Sequence, residues 1–149
     1  MIIVEKNSPK HPDAVALLEQ SHALMRSLFP PEENFFLDFD ALVAPDIHFF
    51  TAREGNSIVG TGALKTCDGY GEIKSMFVAE DARGKGVADA ILRQIEDQAR
   101  EEKLPILKLE TGDALVAALK LYVRNGYKTC GAFGQYMNAT RSVFMEKTL

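Results

Sequence analysis

Hydrophobic side chains recur every three or four residues in three stretches of the chain, which predicts three amphipathic helices. The first spans Pro12–Leu28 and ends before Pro30-Pro31, which break a helix. The second follows Gly86, and the third ends at Asn125-Gly126, a typical helix C-cap. Their apolar positions are Ala14, Leu17, Leu18, Leu24, Met25 and Leu28, then Val87, Ala88, Ile91, Leu92, Ile95 and Ala99, and finally Ala114, Ala117, Ala118, Leu121 and Tyr122.

A more aromatic segment follows the first helix and also has helical spacing. Phe35, Phe36, Phe39, Leu42 and Val43 fall on one side of this predicted helix, and Pro45 ends it. Such aromatic stripes most often form a core or a pocket wall. On the first helix, we expect His22 to cap the helix or to face solvent.

Shorter β-type runs occupy residues 1–5, 47–53, 57–65, 72–78 and 105–110, and two more close the chain near 127–131 and 143–147. The turns at residues 54–56 and 68–69 predict an antiparallel meander. Residues 105–110 follow a helix, so they should return parallel to 72–78 through a right-handed crossover. Gly60 and Gly62 lie inside a strand and indicate close packing or a bulge.

Composition restricts the class of protein. The 149 residues, 46% hydrophobic and 26% charged, fit one domain, residues 1–149. A net charge of −4 argues against a nucleic-acid partner, and the apolar runs are too short for a membrane span. The N-terminus has no apolar signal-peptide core, and the two cysteines suit free thiols. We therefore expect a cytoplasmic protein.

A turn with two glycines and two cations, Arg83-Gly84-Lys85-Gly86, connects strand 72–78 to the second helix. Free N–H groups at a helix start, the helix dipole and nearby cations together favour phosphate, here a pyrophosphate. The turn is not a P-loop, because Gly86 stands where Ser or Thr is required. A dinucleotide fingerprint fits poorly, because Asp89 takes its third glycine position and an antiparallel meander precedes it. A plain connecting loop is the remaining alternative.

Two motifs together resemble the GNAT (GCN5-related N-acetyltransferase) superfamily over essentially the whole chain. The acetyl-CoA motif Q/R-x-x-G-x-G/A is matched by residues 83–88, and A-x-x-L-Y-x-x-x-G-[FY] by residues 118–127. Leu115 departs from the family, many of whose members have an asparagine there that contacts the cofactor. The resemblance implies the GNAT fold, of α/β (α+β) class. Its mixed, mostly antiparallel sheet would have about six or seven strands and about four flanking helices, and its fourth and fifth strands, here 72–78 and 105–110, would splay apart.

The resemblance also implies a site for acetyl-CoA as cosubstrate, without a metal. Exposed backbone of the fourth strand would bind the pantetheine arm and polarise the thioester, and the amides of the glycine turn would bind the pyrophosphate. The residues concerned are Met76, Phe77 and Val78 for the arm, and Arg83, Gly84, Lys85, Gly86, Val87 and Ala88 for the pyrophosphate.

Tyr122 is at the family's usual position for the general acid that protonates the departing thiolate. Glu72 is the candidate general base, at a position where one branch of the family has a glutamate. The alternative for Glu72 is an ion pair with Lys74, which lies on the same strand face. The predicted substrate-binding residues are Phe29, Glu33, Glu110 and Thr111.

The implied reaction is direct transfer of an acetyl group to a primary amine of a small molecule or amino-acid-like acceptor. Two alternatives remain open: a protein lysine or N-terminal acetyltransferase, and a non-catalytic acyl-CoA-binding or sensing module of the same fold. The resemblance also allows a homodimer, although no stretch of the sequence identifies an interface.

Overall fold

The structure of the protein, a computed structural model, is described over residues 1–136 and 140–149. This part of the chain forms seven strands and four α-helices. The strands are β1 (Ile2–Lys6), β2 (Ile47–Glu54), β3 (Ser57–Thr66), β4 (Gly71–Val78), β5 (Ile106–Gly112), β6 (Lys128–Cys130) and β7 (Ser142–Thr148). The helices are α1 (Pro12–Leu28), α2 (Phe39–Leu42), α3 (Val87–Glu101) and α4 (Val116–Arg124).

The strands form one sheet in the order β1-β2-β3-β4-β5-β7-β6. β2, β3 and β4 make the expected antiparallel meander, β1 extends it as a fourth strand, and β5 returns parallel to β4. β7 lies between β5 and β6 and is antiparallel to both. The predicted mixed sheet is thus confirmed, and the insertion of β7 is what closes its C-terminal half.

β4 and β5 pair over a short distance and then separate. Their register joins Gly71 to Leu107 and Ile73 to Leu109, and no pairing follows in the described residues. Beyond this point β4 contains a bulge, because the register with β3 jumps from Ala63↔Lys74 to Thr61↔Phe77. Ser75 takes a positive φ of 58° there. A bulge bends its strand, so the splay expected from the resemblance is present.

Helices cover both faces of the sheet. α1 packs on one face through Ala14 and Leu18, together with Leu42 and Phe49. The other face carries α3 and α4, whose buried side chains share a larger core with strands β2 to β5. The helix α3 lies close to β3, since a Cβ at Gly60 would be 2.8 Å from Ile91 Cδ1. Gly60 and Gly62 therefore serve close packing, as expected, and Gly62 also faces the bulge.

The predicted aromatic helix is wrong for most of its length. A short 3-10 turn, Pro31–Glu33, is followed by extended residues, and α2 begins only at Phe39. The carboxylate of Asp38 accepts a hydrogen bond from the Ala41 amide at 2.8 Å, which fixes that start by N-capping. Phe35 and Phe36 thus lie outside a helix: Phe36 stacks on His22 of α1, and Phe35 packs edge-on against Tyr136.

The expectation for His22 is also wrong. Its ring is buried and stacks on Phe36, with ring centroids 4.1 Å apart. Burial, and then the nearby Arg26 charge, lower the pKa of His22. The extended aromatic segment therefore binds to α1 through an uncharged imidazole. Across residues 1–136 and 140–149, no helix has the length and apolar character that crossing a bilayer requires.

Candidate active site

A cleft of about 660 Å³ opens where β4 and β5 separate. One wall is the free edge of β4 from Lys74 to Val78, and the other is the end of β5 with the start of α4. The glycine turn closes one end. At the other end, α1 and the extended segment supply mainly apolar side chains, among them Leu18, Met25, Phe29, Phe35 and Phe36.

On its β5 side, the β4 wall presents backbone that pairs with no strand among residues 1–136 and 140–149. Thr61 Oγ1 donates a hydrogen bond to the Ser75 carbonyl at 2.8 Å and stabilises the bulge. Met76, Phe77 and Val78 follow the bulge and line the cleft. Unpaired strand amides and carbonyls are the groups to which an extended ligand can add as a further strand.

The glycine turn has the backbone geometry of an anion site. Gly84 and Gly86 have φ of 79° and 81°, and a Cβ at either would meet only open space. The described residues supply no acceptor to the amides of residues 84–88, and Gly86 caps α3 without a side-chain bond. Such a helix start attracts negative charge.

The side chains of the glycine turn and of the first residues of α3 point in different directions relative to the cleft. Val87 and Ala88 line the cleft beside Gly84. Arg83 lies over the Phe77 ring at 5.7 Å, and its Nε donates to the Val78 carbonyl at 3.2 Å. Lys85 instead extends toward Glu54, 3.5 Å away. The structure thus brings the turn backbone to the cleft, with Arg83 nearer to it than the Lys85 ammonium.

Tyr122 lines the cleft from α4 and is 5% exposed. Its ring packs edge-on against Tyr127, the last residue of the second motif, at 5.7 Å. Burial raises the pKa of Tyr122, and the charge of Glu110 adds to this effect. The phenol is therefore protonated at neutral pH.

Glu110 enters the same cleft from β5, beside the buried Thr111. Its Oε2 accepts a hydrogen bond from Ser142 Oγ at 2.6 Å. Burial is the main cause that raises the pKa of Glu110, and the charges of Glu72 and Glu33 raise it further. The hydrogen bond from Ser142 and the charge of Lys74 act in the opposite direction. A carboxylate with a raised pKa in a cleft is suited to accept a proton.

Glu72 is not among the described residues that line the cleft, and it is buried, 6% exposed. The Tyr136 hydroxyl donates a hydrogen bond to Glu72 Oε2, and Lys74 Nζ lies 3.3 Å from the same oxygen. Lys74 also donates to the Tyr136 hydroxyl at 2.6 Å. The pairing with Lys74 is thus present, although it is buried and not solvated. The general-base role of Glu72 stays a prediction that this position disfavours.

The two remaining predicted substrate residues lie at the apolar end. The Phe29 ring packs directly on the backbone of Gly112, where a Cβ would overlap it. Glu33 accepts hydrogen bonds from the Arg141 amide at 2.8 Å and from Thr140 Oγ1 at 3.2 Å. Both line the cleft. Glu33 therefore also connects the 3-10 turn to the start of β7.

Sequence reasoning missed Lys74, Arg141 and Ser142 as parts of the cleft lining. Ser142 lies opposite Gly112 and beside Glu110 because β7 inserts next to β5. No local pattern marks this serine, since its partner is 32 positions away.

The chain belongs to the acetyltransferase (GNAT) family, whose family model matches residues 15–127. The seven-stranded sheet and the open β4–β5 pair agree with that assignment. The protein is therefore an acyltransferase enzyme by family.

Similar proteins extend over the whole chain. An IAA acetyltransferase from Azospirillum brasilense is 39% identical over 150 residues, covering 99% of this chain and 98% of the relative. An acyl-CoA N-acyltransferase structure from Klebsiella pneumoniae superposes with a TM-score of 0.84 at 30% identity, covering 100% of this chain and 98% of that one. A structure of a streptothricin acetyltransferase from Bacillus anthracis, in complex with acetyl coenzyme A, superposes with a TM-score of 0.64 at 25% identity. The superposition covers 77% of this chain and 69% of that one.

Proposed function

We propose that the protein transfers an acetyl group from acetyl-CoA directly to the primary amine of a small molecule. The observation that supports this most is the meeting of Glu110 and Tyr122 in one cleft. Strand alternation directs Glu110 to the α1 face of the sheet, whereas Tyr122 belongs to the core on the α3 and α4 face. They meet because the sheet is open between β4 and β5.

Acetyl-CoA suits the chemistry of the other groups in the cleft. The free backbone of Met76–Val78 matches the amide groups of a pantetheine arm, and the amides of residues 84–88 match a pyrophosphate. Leu115 is apolar, so the asparagine contact of many family members is replaced by packing. The streptothricin acetyltransferase with bound acetyl coenzyme A supports the same cosubstrate.

The proposed reaction has one covalent step. The amine nitrogen attacks the thioester carbonyl carbon, a C–N bond forms, and the C–S bond breaks. Glu110 takes the proton that the ammonium loses before attack. Tyr122 gives a proton to the leaving sulfur, and the second proton that the nitrogen loses returns to Tyr122. Because burial penalises a free phenolate, Tyr122 donates as the C–S bond breaks rather than before it. The products are an amide and coenzyme A, and one proton is released to solvent.

Glu110 is a better base than Glu72 in this proposal. Glu110 lines the cleft. Its raised pKa reduces the difference from the pKa of an alkyl ammonium, which is about 10, so proton transfer from the ammonium costs less free energy. The buried Glu72 carboxylate is instead paired with Lys74 and accepts a hydrogen bond from the Tyr136 hydroxyl. We assign Glu72 the role of anchoring Tyr136, which follows β6, to β4.

The decisive experiment is a thiol-release assay with acetyl-CoA over amines, amino acids, polyamines and peptides, with mass spectrometry of the products. Transfer to a small primary amine is the expected result. Binding of acetyl-CoA without thiol release for any acceptor would favour the sensing module. Transfer restricted to peptides would favour a protein acetyltransferase.

A further inference from the structure

The acceptor end of the cleft carries acidic and aromatic side chains, and its charge does not suit an amino acid. It is formed by Phe29, Glu33, Phe35, Phe36 and Glu110. An amino acid needs a cation for its carboxylate as well as a base near its nitrogen. Two cations, Lys74 and Arg141, line this end. An acceptor with a carboxylate can bind well at this end only if Lys74 or Arg141 is free to pair with that carboxylate.

Lys74 is already engaged by groups of the protein. Its Nζ donates hydrogen bonds to the Phe35 carbonyl at 3.1 Å and to the Tyr136 hydroxyl at 2.6 Å. The same Nζ forms an ion pair with the Glu72 carboxylate at 3.3 Å. Its side chain is 9% exposed. The charge of Lys74 is thus already neutralised inside the protein.

Arg141 is also paired, although its side chain is much more exposed than that of Lys74, at 42%. Its Nε and Nη2 donate to Asp113 Oδ1 at 3.2 and 3.0 Å, and its Nη1 donates to the Leu28 carbonyl at 3.1 Å. The guanidinium lies 5.0 Å from the centroid of the Phe29 ring. A carboxylate ligand would compete with Asp113 for this cation.

The other side chains at this end are acidic, aromatic or neutral. His22 stacks on Phe36, and burial lowers the pKa of its imidazole. Arg26 stacks on Phe36 from outside the cleft lining, 5.9 Å from the ring centroid. Glu33 and Glu110 both line the cleft, and each already repels the other's charge.

We infer that the acceptor is a primary amine with an apolar tail of aromatic size and no carboxylate on the carbon beside its nitrogen. This inference rests on the acetyl transfer proposed above. When the nitrogen of an α-amino acid is within reach of Glu110, its carboxylate is only about 4–5 Å from the same acidic group, and like charges at that distance repel strongly in a partly buried site. The rings of Phe29, Phe35 and Phe36 favour an apolar tail.

The test compares tryptamine with tryptophan, and phenethylamine with phenylalanine. Tryptophan methyl ester is the control that keeps the stereocentre and removes the charge. Thiol release gives kcat/KM, and calorimetry on protein saturated with coenzyme A gives the binding constant of each amine. We expect kcat/KM for tryptamine to exceed that for tryptophan on the order of 100-fold, with the ester much closer to tryptamine.

Two variants test the cause. Asp113→Asn frees Arg141 and should reduce the preference for tryptamine over tryptophan about tenfold. Asp97→Asn removes a comparable exposed carboxylate, paired with Arg100 at 3.3 Å on α3, and should leave the preference unchanged. An unchanged preference in Asp113→Asn would overturn the argument from occupied cations.

The outcomes separate the two proposals. Equal or better use of tryptophan, or the absence of binding by either carboxylate-free amine, would overturn the inference on the acceptor. Selective binding of tryptamine without thiol release would support the inference and overturn acetyl transfer.

Discussion

The carboxylate of Glu72 lies 3.3 Å from Nζ of Lys74, and both side chains are buried, although only Lys74 is among the residues that line the cleft. The Tyr136 hydroxyl joins the pair, accepting from Lys74 and donating to Glu72. Removing one member would leave a buried charge without its partner, which is strongly destabilising. The buried ion pair therefore gives Glu72 a different role from Glu110, the other acidic residue near the point where β4 and β5 separate. Glu72 is bound inside the fold, and Glu110 faces the cleft.

The two acids should therefore respond differently to replacement by glutamine. A base must be ionised to act, so kcat/KM should rise with pH through the raised pKa of Glu110. Glu110→Gln should remove that rise and lower kcat/KM about 100-fold at neutral pH. Glu72→Gln should lower the thermal midpoint and keep the acidic limb of the profile. Loss of that limb in Glu72→Gln, with its retention in Glu110→Gln, would restore Glu72 as the base.

Tyr122→Phe tests the general acid. The variant keeps the ring that packs on Tyr127 and removes only the proton donor. We expect kcat to fall roughly 100-fold or more, with the dissociation constant of acetyl-CoA within about twofold of the wild type. Tyr127→Phe is the matched control, since the Tyr127 hydroxyl donates instead to Glu96, at 2.8 Å. Equal turnover in Tyr122→Phe and the wild type would remove Tyr122 as the acid.

A negative charge at the start of α3 should oppose cofactor binding. Ala88→Glu places a carboxylate beside the free amides of the glycine turn, where the pyrophosphate is proposed to bind. The dissociation constant of acetyl-CoA should rise at least about tenfold by calorimetry. Gln94→Glu adds the same charge further along α3 and should have little effect. Normal binding by Ala88→Glu would contradict a pyrophosphate site at this turn.

Gly62 should tolerate no side chain. A Cβ there would overlap Ile91 and lie 2.8 Å from Met76 Sδ, so α3 must move away from the bulge. We expect Gly62→Ala to lower the free energy of unfolding by about 1–3 kcal/mol. Gly131→Ala, where a Cβ meets only open space, should change it by less than about 0.5 kcal/mol. Urea unfolding of both variants measures the difference.

His22 should make the fold sensitive to acid. Its pKa is lowered from 6.5, so the folded protein disfavours the imidazolium relative to the unfolded chain. The contribution to stability is complete above pH 6.5 and is lost as the pH falls through the lowered pKa. His22→Phe keeps an aromatic ring against Phe36 and cannot titrate. The thermal midpoint of the wild type should fall relative to this variant between about pH 7 and 5, and a constant difference across that range would refute the assignment.

The sequence by itself determined the features that depend on neighbouring residues. The apolar faces of α1 and α3 follow from the spacing of hydrophobic residues. The glycine turn, the hairpin turns and the Asn125-Gly126 cap follow from the backbone freedom of glycine, since φ is 81° at Gly86 and 92° at Gly126. The two motifs then identified the family. Local aromatic spacing was misleading at residues 35–38, because the N-cap of Asp38 and the contact with His22 outweigh a short periodic pattern.

Only the tertiary structure decided which acid faces the cleft. Glu72 and Glu110 lie on the same face of the sheet, so alternation cannot distinguish them. The difference arises from partners distant in the chain: Tyr136 is 64 positions from Glu72, and Ser142 is 32 positions from Glu110. Those partners arrive because β7 pairs between β5 and β6. The energy of that pairing is spread over the whole sheet, so no short stretch of sequence encodes it.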